Sequence, residues 1–306
     1  MTLASISYPP LAPIHLGMFH LSVHGVVIAV AFLIAAWLAT RHMARAGGDV
    51  AAYRSAYRSA YRSAYRSAYQ SVLSWALVGA VVGARYLTAP AALLDGAGWS
   101  ALSPLDGSFS ILGGFTGGIL TGLWRMRVLG MPILPTLDIS ARGLALGTVI
   151  GRIGCLAIAD HLGRPTTLPW GYGVKPGYDV APAGNALECT TAQAGVDGLC
   201  GVYQPVALYD LLAAAVLLLV LYAIVRLWPL LAGQLFAVWM AWYGLQRFVL
   251  DFLRVGDAGF GPISWNQVSG LVGGTGGVAL LWWLGRRRPA ADSAVVAEVG
   301  LEGARM

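Results

Sequence analysis

Charge is what this chain has least of. Only 11% of its 306 residues are Asp, Glu, Lys or Arg, against 57% hydrophobic, and the mean hydropathy is +0.67. Soluble domains carry roughly a quarter of their residues charged, so that class is excluded and a polytopic membrane protein is predicted. Lysine is nearly missing: Lys175 is the single one, and the net charge of +6 comes almost wholly from arginine. The arginines are scattered among apolar segments rather than gathered on one soluble face, which argues against nucleic acid as a partner. They suit anionic lipid headgroups, because a planar guanidinium can grip phosphate through two hydrogen bonds. A basic start is also lacking: residues 1–18 are interrupted by proline, so no cleavable signal peptide is expected and the first apolar span is read as its own insertion signal. Cysteine is scarce, with three in all. Cys155 is read as a small buried hydrophobe rather than a nucleophile. Cys189 and Cys200 flank a polar, glycine-rich loop, and a disulfide is expected between them if that loop faces an oxidising compartment.

What is there is a series of long apolar segments. Stretches of spanning length fall at about 19–39, 72–92, 109–124, 133–157, 205–225, 233–253 and 264–284. The third is short and glycine-rich, so six spans remains open beside seven. Arginines follow the first span (Arg41, Arg45, Arg54, Arg58, Arg62, Arg66), the third (Arg125, Arg127), the fifth (Arg226) and the seventh (Arg286, Arg287, Arg288). Placing all of these in the cytoplasm puts the N-terminus and the 158–204 loop outside and the C-terminus inside. Residues 52–71 read Ala-Tyr-Arg-Ser four times and then Ala-Tyr-Gln-Ser. Two readings stand: an amphipathic helix lying on the cytoplasmic leaflet, or a tandem expansion tolerated in a cytoplasmic loop. The membrane domain is expected over 1–288, with a disordered cytoplasmic tail over 289–306.

One stretch concentrates chemistry. Gly151 to Pro165 closes an apolar segment yet holds Arg152, Cys155, Asp160, His161 and Arg164. An arginine in hydrocarbon costs about 2.5–3.5 kcal/mol even on a lenient insertion scale, so it persists where it meets protein, water or an anionic ligand. Arg247 stands in the same position in the sixth span, with Asp251 and Arg254 four and seven residues on and hence on its face. It is read either as paired with Asp251 or as a phosphate ligand.

The run Gly151-Arg152-Ile153-Gly154, five variable positions and an acidic residue, then Gly163-Arg164-Pro165, resembles the signature of the prolipoprotein diacylglyceryl transferase family. The resemblance extends from about His24 to Gln267. It includes Arg85, Asp138, Gln267, the pair Gly117-Gly118, Arg247 in Tyr243-Gly244-Leu245-Gln246-Arg247-Phe248, and Pro205, Leu208, Tyr209 and Asp210 in the element that starts at Gln204. It implies an all-α, polytopic integral membrane protein of about seven transmembrane helices around a central lipid-accessible cavity, monomeric and in the bacterial inner membrane. The family moves the diacylglyceryl group of phosphatidylglycerol onto the lipobox cysteine of a prolipoprotein signal peptide, makes a thioether and releases glycerol phosphate. Phosphatidylglycerol and prolipoprotein signal peptides are therefore the expected partners, with no cofactor and no metal.

The resemblance assigns lipid binding to Arg152, Arg247, Gly163, Arg164, Gly117, Gly118, Tyr243 and Asp251. The plain alternative for the glycines is close helix packing, and for Arg164 or Arg254 it is reaching out to the interface. The chain also departs from the family pattern. Cys155 and Ile158 replace asparagines, Asp160 replaces a glutamate, His24 replaces a tyrosine, and Thr116 stands where the family has a histidine. Threonine cannot take a thiol proton near neutral pH, so His24 and His161, the latter beside Asp160, are the candidate catalytic groups. Their bland readings are a hydrogen-bonded bundle histidine and a solvated interfacial one. Competing functions are a diverged or inactive family member, and a transporter or binding protein for an anionic lipid or solute.

Overall fold

The computed structural model describes residues 6–16, 19–21, 23–49, 55–86, 111–180, 189–228, 230–254, 259–260 and 263–286. The expected tail at 289–306 and the loop at 93–108 lie outside the described residues. Seven helices are described: α1 (Val23–Asp49), α2 (Ser55–Tyr86), α3 (Ile111–Val128), α4 (Ile133–Ala157), α5 (Val206–Leu227), α6 (Gln234–Asp251) and α7 (Trp265–Gly285). Each falls on one of the predicted spans. Segments of α1, α2, α4, α5 and α7 are long and apolar enough to cross a membrane. α3 and α6 have eighteen residues each, and polar groups dilute both, Arg125 and Arg127 in one and Gln246, Arg247 and Asp251 in the other. The Ala-Tyr-Arg-Ser repeat is helical from Ser55 and runs unbroken into the apolar part of α2.

Residues 36–139 form one compact unit, and 1–35 together with 140–306 form the other. In the 36–139 unit, α2 and α3 touch backbone to backbone. A Cβ on Gly117 would sit 2.1 Å from the Gly79 carbonyl oxygen, and one on Gly83 would sit 2.3 Å from that of Gly113. Small residues allow this approach where lipid supplies no hydrophobic driving force between helices. A core of Ala39, Tyr69, Val72, Met126 and Met131 backs the contact. Gly130, at φ 64°, makes the left-handed turn that ends α3.

The second unit repeats the device between α6 and α7. A Cβ on Gly244 would lie 2.2 Å from the Gly274 amide nitrogen, and one on Gly277 would lie 2.3 Å from that of Ala241. Ala141 and Ala145 of α4, one turn apart, meet Leu217 and Leu221 of α5 and Leu235 of α6 in a sealed apolar cluster. α7 starts at a capping box, in which the Ser264 hydroxyl accepts from the Gln267 amide while the Gln267 side chain accepts from the Ser264 amide.

The membrane segments are helical as expected, and the loops add short strands. β1 (Ile14–Leu16) pairs with β2 (Phe19–Leu21), and further on β3 (Leu162–Pro165), β4 (Tyr172–Val174) and β5 (Gly201–Pro205) form an antiparallel sheet in the order β3-β5-β4. A last hairpin joins β6 (Gly259–Phe260) to β7 (Ile263–Ser264). Leu162 pairs with Pro205, and Tyr172 with Tyr203. Tyr172, Val174 and Val180 close a small core of their own under Tyr8 and Tyr203. The expected bridge is present: Cys189 is disulfide-bonded to Cys200. The sheet ties the end of α4 to the start of α5, and the functional groups gather at that junction.

Candidate functional site

Asp210 is the hub. It lies in the first turns of α5, 1% exposed, where an apolar helix has no reason of its own to bury a carboxylate. Arg152 of α4 meets it at 2.8 Å, the Gln246 amide of α6 donates to its other oxygen at 2.7 Å, and Arg247 stands 3.6 Å away. One carboxylate thus ties three helices together. A second node follows on α6: Asp251 accepts a hydrogen bond from Ser264 Oγ and lies 3.8 Å from Arg247 and 3.9 Å from Arg254.

The two predicted cations are therefore brought together, but they are not equivalent. Arg152 is held in a close ion pair. Arg247, with its side chain only 11% exposed, has two distant carboxylates, and its Nη1 has no hydrogen-bond partner. A buried donor left unmatched can take a water, an ion or a ligand atom. Among these five ionic groups three guanidiniums face two carboxylates, so the node carries a surplus of positive charge. Tyr243 stacks on Trp239 at 5.5 Å and is close enough to feel both arginines.

The signature's second half leaves the helix at Ala157 and turns sharply. Ala159 at φ 49° and His161 at φ 60° are in the left-handed region, a conformation that costs side chains other than glycine and is often kept for function. The turn lays His161 against Asp160: the carboxylate accepts the His161 backbone amide at 2.7 Å and meets ring Nδ1 at 2.7 Å. Burial opposes a charge on either group, yet each raises the ionisation of its partner. The His161 pKa is held above the usual imidazole value and that of Asp160 below the usual carboxylate value. His24 of α1 joins the same cluster: its Nδ1 lies 3.6 Å from Cys155 Sγ, which His161 also approaches. Cys155 is buried at 1% exposure, as expected of a small hydrophobe, although Arg152 Nη1 also reaches its sulfur at 3.5 Å.

Other expected lipid ligands have plainer positions. A Cβ on Gly163 would lie 2.3 Å from the Leu253 carbonyl oxygen, and the Arg164 amide donates to that same oxygen at 2.9 Å. These residues press β3 onto the turn carrying Arg254, and the Arg164 side chain is exposed. Arg254, read as able to reach the interface, is instead mostly buried beside Asp251. Gly117 and Gly118 belong to the 36–139 unit, where their described contacts are with α2. Sequence reasoning carried Asp210 only as a motif match and passed over Gln246 and Ser264. The available signal was an acidic residue opening the most apolar helix of the chain.

The profile of the family described as Prolipoprotein diacylglyceryl transferase matches residues 12–283. Proteins named phosphatidylglycerol–prolipoprotein diacylglyceryl transferase are similar in three bacteria. The one from Gloeobacter violaceus is 32% identical over 190 residues, 62% of this chain and 65% of its own. The one from Cereibacter sphaeroides is 33% identical over 166 residues, 52% of each chain. The one from Mycobacterium tuberculosis is 32% identical over 160 residues, 52% of this chain and 34% of its own. The matched stretch thus spans less than two thirds of the length of each of these relatives.

Proposed function

The chain belongs to the prolipoprotein diacylglyceryl transferase family, and on that premise we propose that it transfers the diacylglyceryl group of phosphatidylglycerol to a prolipoprotein cysteine. The observation that carries the reading is Arg247, buried with an unmatched donor in a node holding one more cation than anion. A phosphodiester carries a single negative charge, which that surplus complements. In the transfer, the thiol sulfur bonds to the glyceryl carbon, the carbon–oxygen bond to phosphate breaks, and glycerol phosphate leaves. Charge grows on the departing phosphate, so a guanidinium fixed beside it in a site with little water stabilises the transition state more than the ground state.

The thiol proton needs a taker, and of the two histidines His161 is the better placed. Asp160 meets its ring at 2.7 Å and orients it, whereas the nearest partner of His24 Nδ1 is Cys155 at 3.6 Å, a contact that His161 shares. Arg152 acts mainly through Asp210, which holds the floor of the site. The lipid-accessible cavity is part of this proposal. So are a monomeric state and an inner-membrane orientation with the 158–204 loop outside and the repeat inside, which the arginine distribution supports.

The test is glycerol phosphate release from phosphatidylglycerol with a lipobox peptide, using the full chain in detergent. Arg247→Ala should abolish turnover, and Arg247→Lys should keep part of it, because it retains charge but loses the two-pronged grip. Parent-level turnover in Arg247→Ala would overturn the reading.

A further inference from the structure

Cys155 and His24 both stand where the family pattern has a different residue, and so does Asp160. In the fold these three come together: His24 on α1, Cys155 on α4 and Asp160 in the turn that follows offer ring nitrogen, sulfur and carboxylate oxygen atoms that all lie within 4.8 Å of one another. Burial as a small hydrophobe explains one cysteine. It does not explain why a ring nitrogen from α1 and a carboxylate from the turn after α4 come to the same sulfur.

We propose that His24, Cys155 and Asp160 form a binding site for a thiophilic divalent cation of the zinc class. The spacing fits. With metal–sulfur at about 2.3 Å and metal–nitrogen at about 2.0–2.1 Å, tetrahedral coordination sets the two donor atoms about 3.6 Å apart, and Cys155 Sγ to His24 Nδ1 is 3.6 Å. The ligand charges fit as well, since a thiolate and a carboxylate neutralise a dication, while Arg152, 3.5 Å from the sulfur, helps to keep the thiol ionised. Sulfur, imidazole and carboxylate together select zinc-like ions over magnesium or calcium, which prefer oxygen alone. His161, with its ring Nδ1 2.7 Å from the Asp160 carboxylate and its side chain also against Cys155, would orient both ligands, as outer partners of metal ligands commonly do. A cleft of about 390 Å³, lined by Pro9, Pro13, Val23, Ile158, Asp160 and Asp179, reaches the Asp160 ligand. Three protein ligands leave a fourth position for water or a substrate atom, the arrangement of catalytic rather than structural zinc.

The site does not depend on the reaction proposed above, and its test does not use turnover. The full chain, purified in detergent through a tag free of histidine and cysteine, is stripped with chelator and reloaded with zinc or cobalt. Close to one equivalent of zinc per chain is expected, together with a thiolate-to-cobalt charge-transfer band in the near ultraviolet. Cys155 is the one free cysteine, so the band reports a single residue. Cys155→Ser should remove the band and the bound zinc, and His24→Gln should weaken binding further than His161→Gln, for which a loss of about tenfold is expected. Zinc should also protect Cys155 of the unaltered protein from maleimide, a readout needing no variant. A reduced, alkylatable Cys155 with neither zinc nor a cobalt band would overturn the proposal, and so would zinc retained in Cys155→Ser.

Discussion

Arg152 and Arg247 look alike in the sequence, each an arginine near the end of an apolar helix, and the structure gives them different work. Arg152 is neutralised at 2.8 Å by Asp210, whereas Arg247 keeps a donor without a hydrogen-bond partner. The difference was not legible, because it depends on Asp210 arriving from another helix, and nothing in one dimension measures that distance. What was legible is that these positions matter, since intramembrane charges are too costly to be idle. A prediction follows for the hub. Asp210→Asn leaves Arg152 buried without its counter-charge and should destabilise the protein by about 3–5 kcal/mol, read as a lower thermal midpoint in detergent. Replacing both partners, Arg152→Met with Asp210→Leu, should recover most of that loss while leaving no turnover. A double variant no more stable than Asp210→Asn would show that the pair is not the source of the effect.

At the scale of elements, helices came readily from hydropathy, to within a few residues at most ends. The strands did not: β3, β4 and β5 are three to five residues long, rich in glycine and proline, and too short to show alternation. Close packing, given as the alternative reading of the glycines, is what their described contacts show, and the structure tells which glycines bear contact. Gly244→Ala would push a methyl into the backbone of α7 at 2.2 Å. It should cost about 1–3 kcal/mol, as overpacking does. Gly276→Ala meets only the flexible end of Met240 at 3.5 Å and should be silent. Thermal unfolding of the two variants side by side decides it, and equal midpoints would refute the contact. At the head of α7, Ser264→Ala removes a cap for about 1 kcal/mol and also deprives Asp251 of a hydrogen bond. Its effect should therefore reach Arg247, raising the KM for phosphatidylglycerol along with lowering the midpoint.

For the molecule as a whole, arginine bookkeeping gives a topology that fusions can read. Reporters placed after residue 60 and within the 158–204 loop should signal from opposite sides, the first cytoplasmic. The disulfide supplies an independent check. Denatured protein prepared without reductant should accept one thiol tag, at Cys155, and three once Cys189 and Cys200 are reduced. Three tags before reduction would remove the case for an oxidising side.

The bond between Arg152 and Asp210 also has a history within each synthesis. Arg152 ends α4, whereas Asp210 is encoded beyond the whole 158–204 loop. A ribosome therefore delivers the cation well before the anion that will neutralise it. During that interval α4 must settle with an uncompensated guanidinium, and it becomes secure only when α5 enters and β3 finds β5. Release of the nascent chain before Asp210 emerges should therefore leave α4 prone to slip out again.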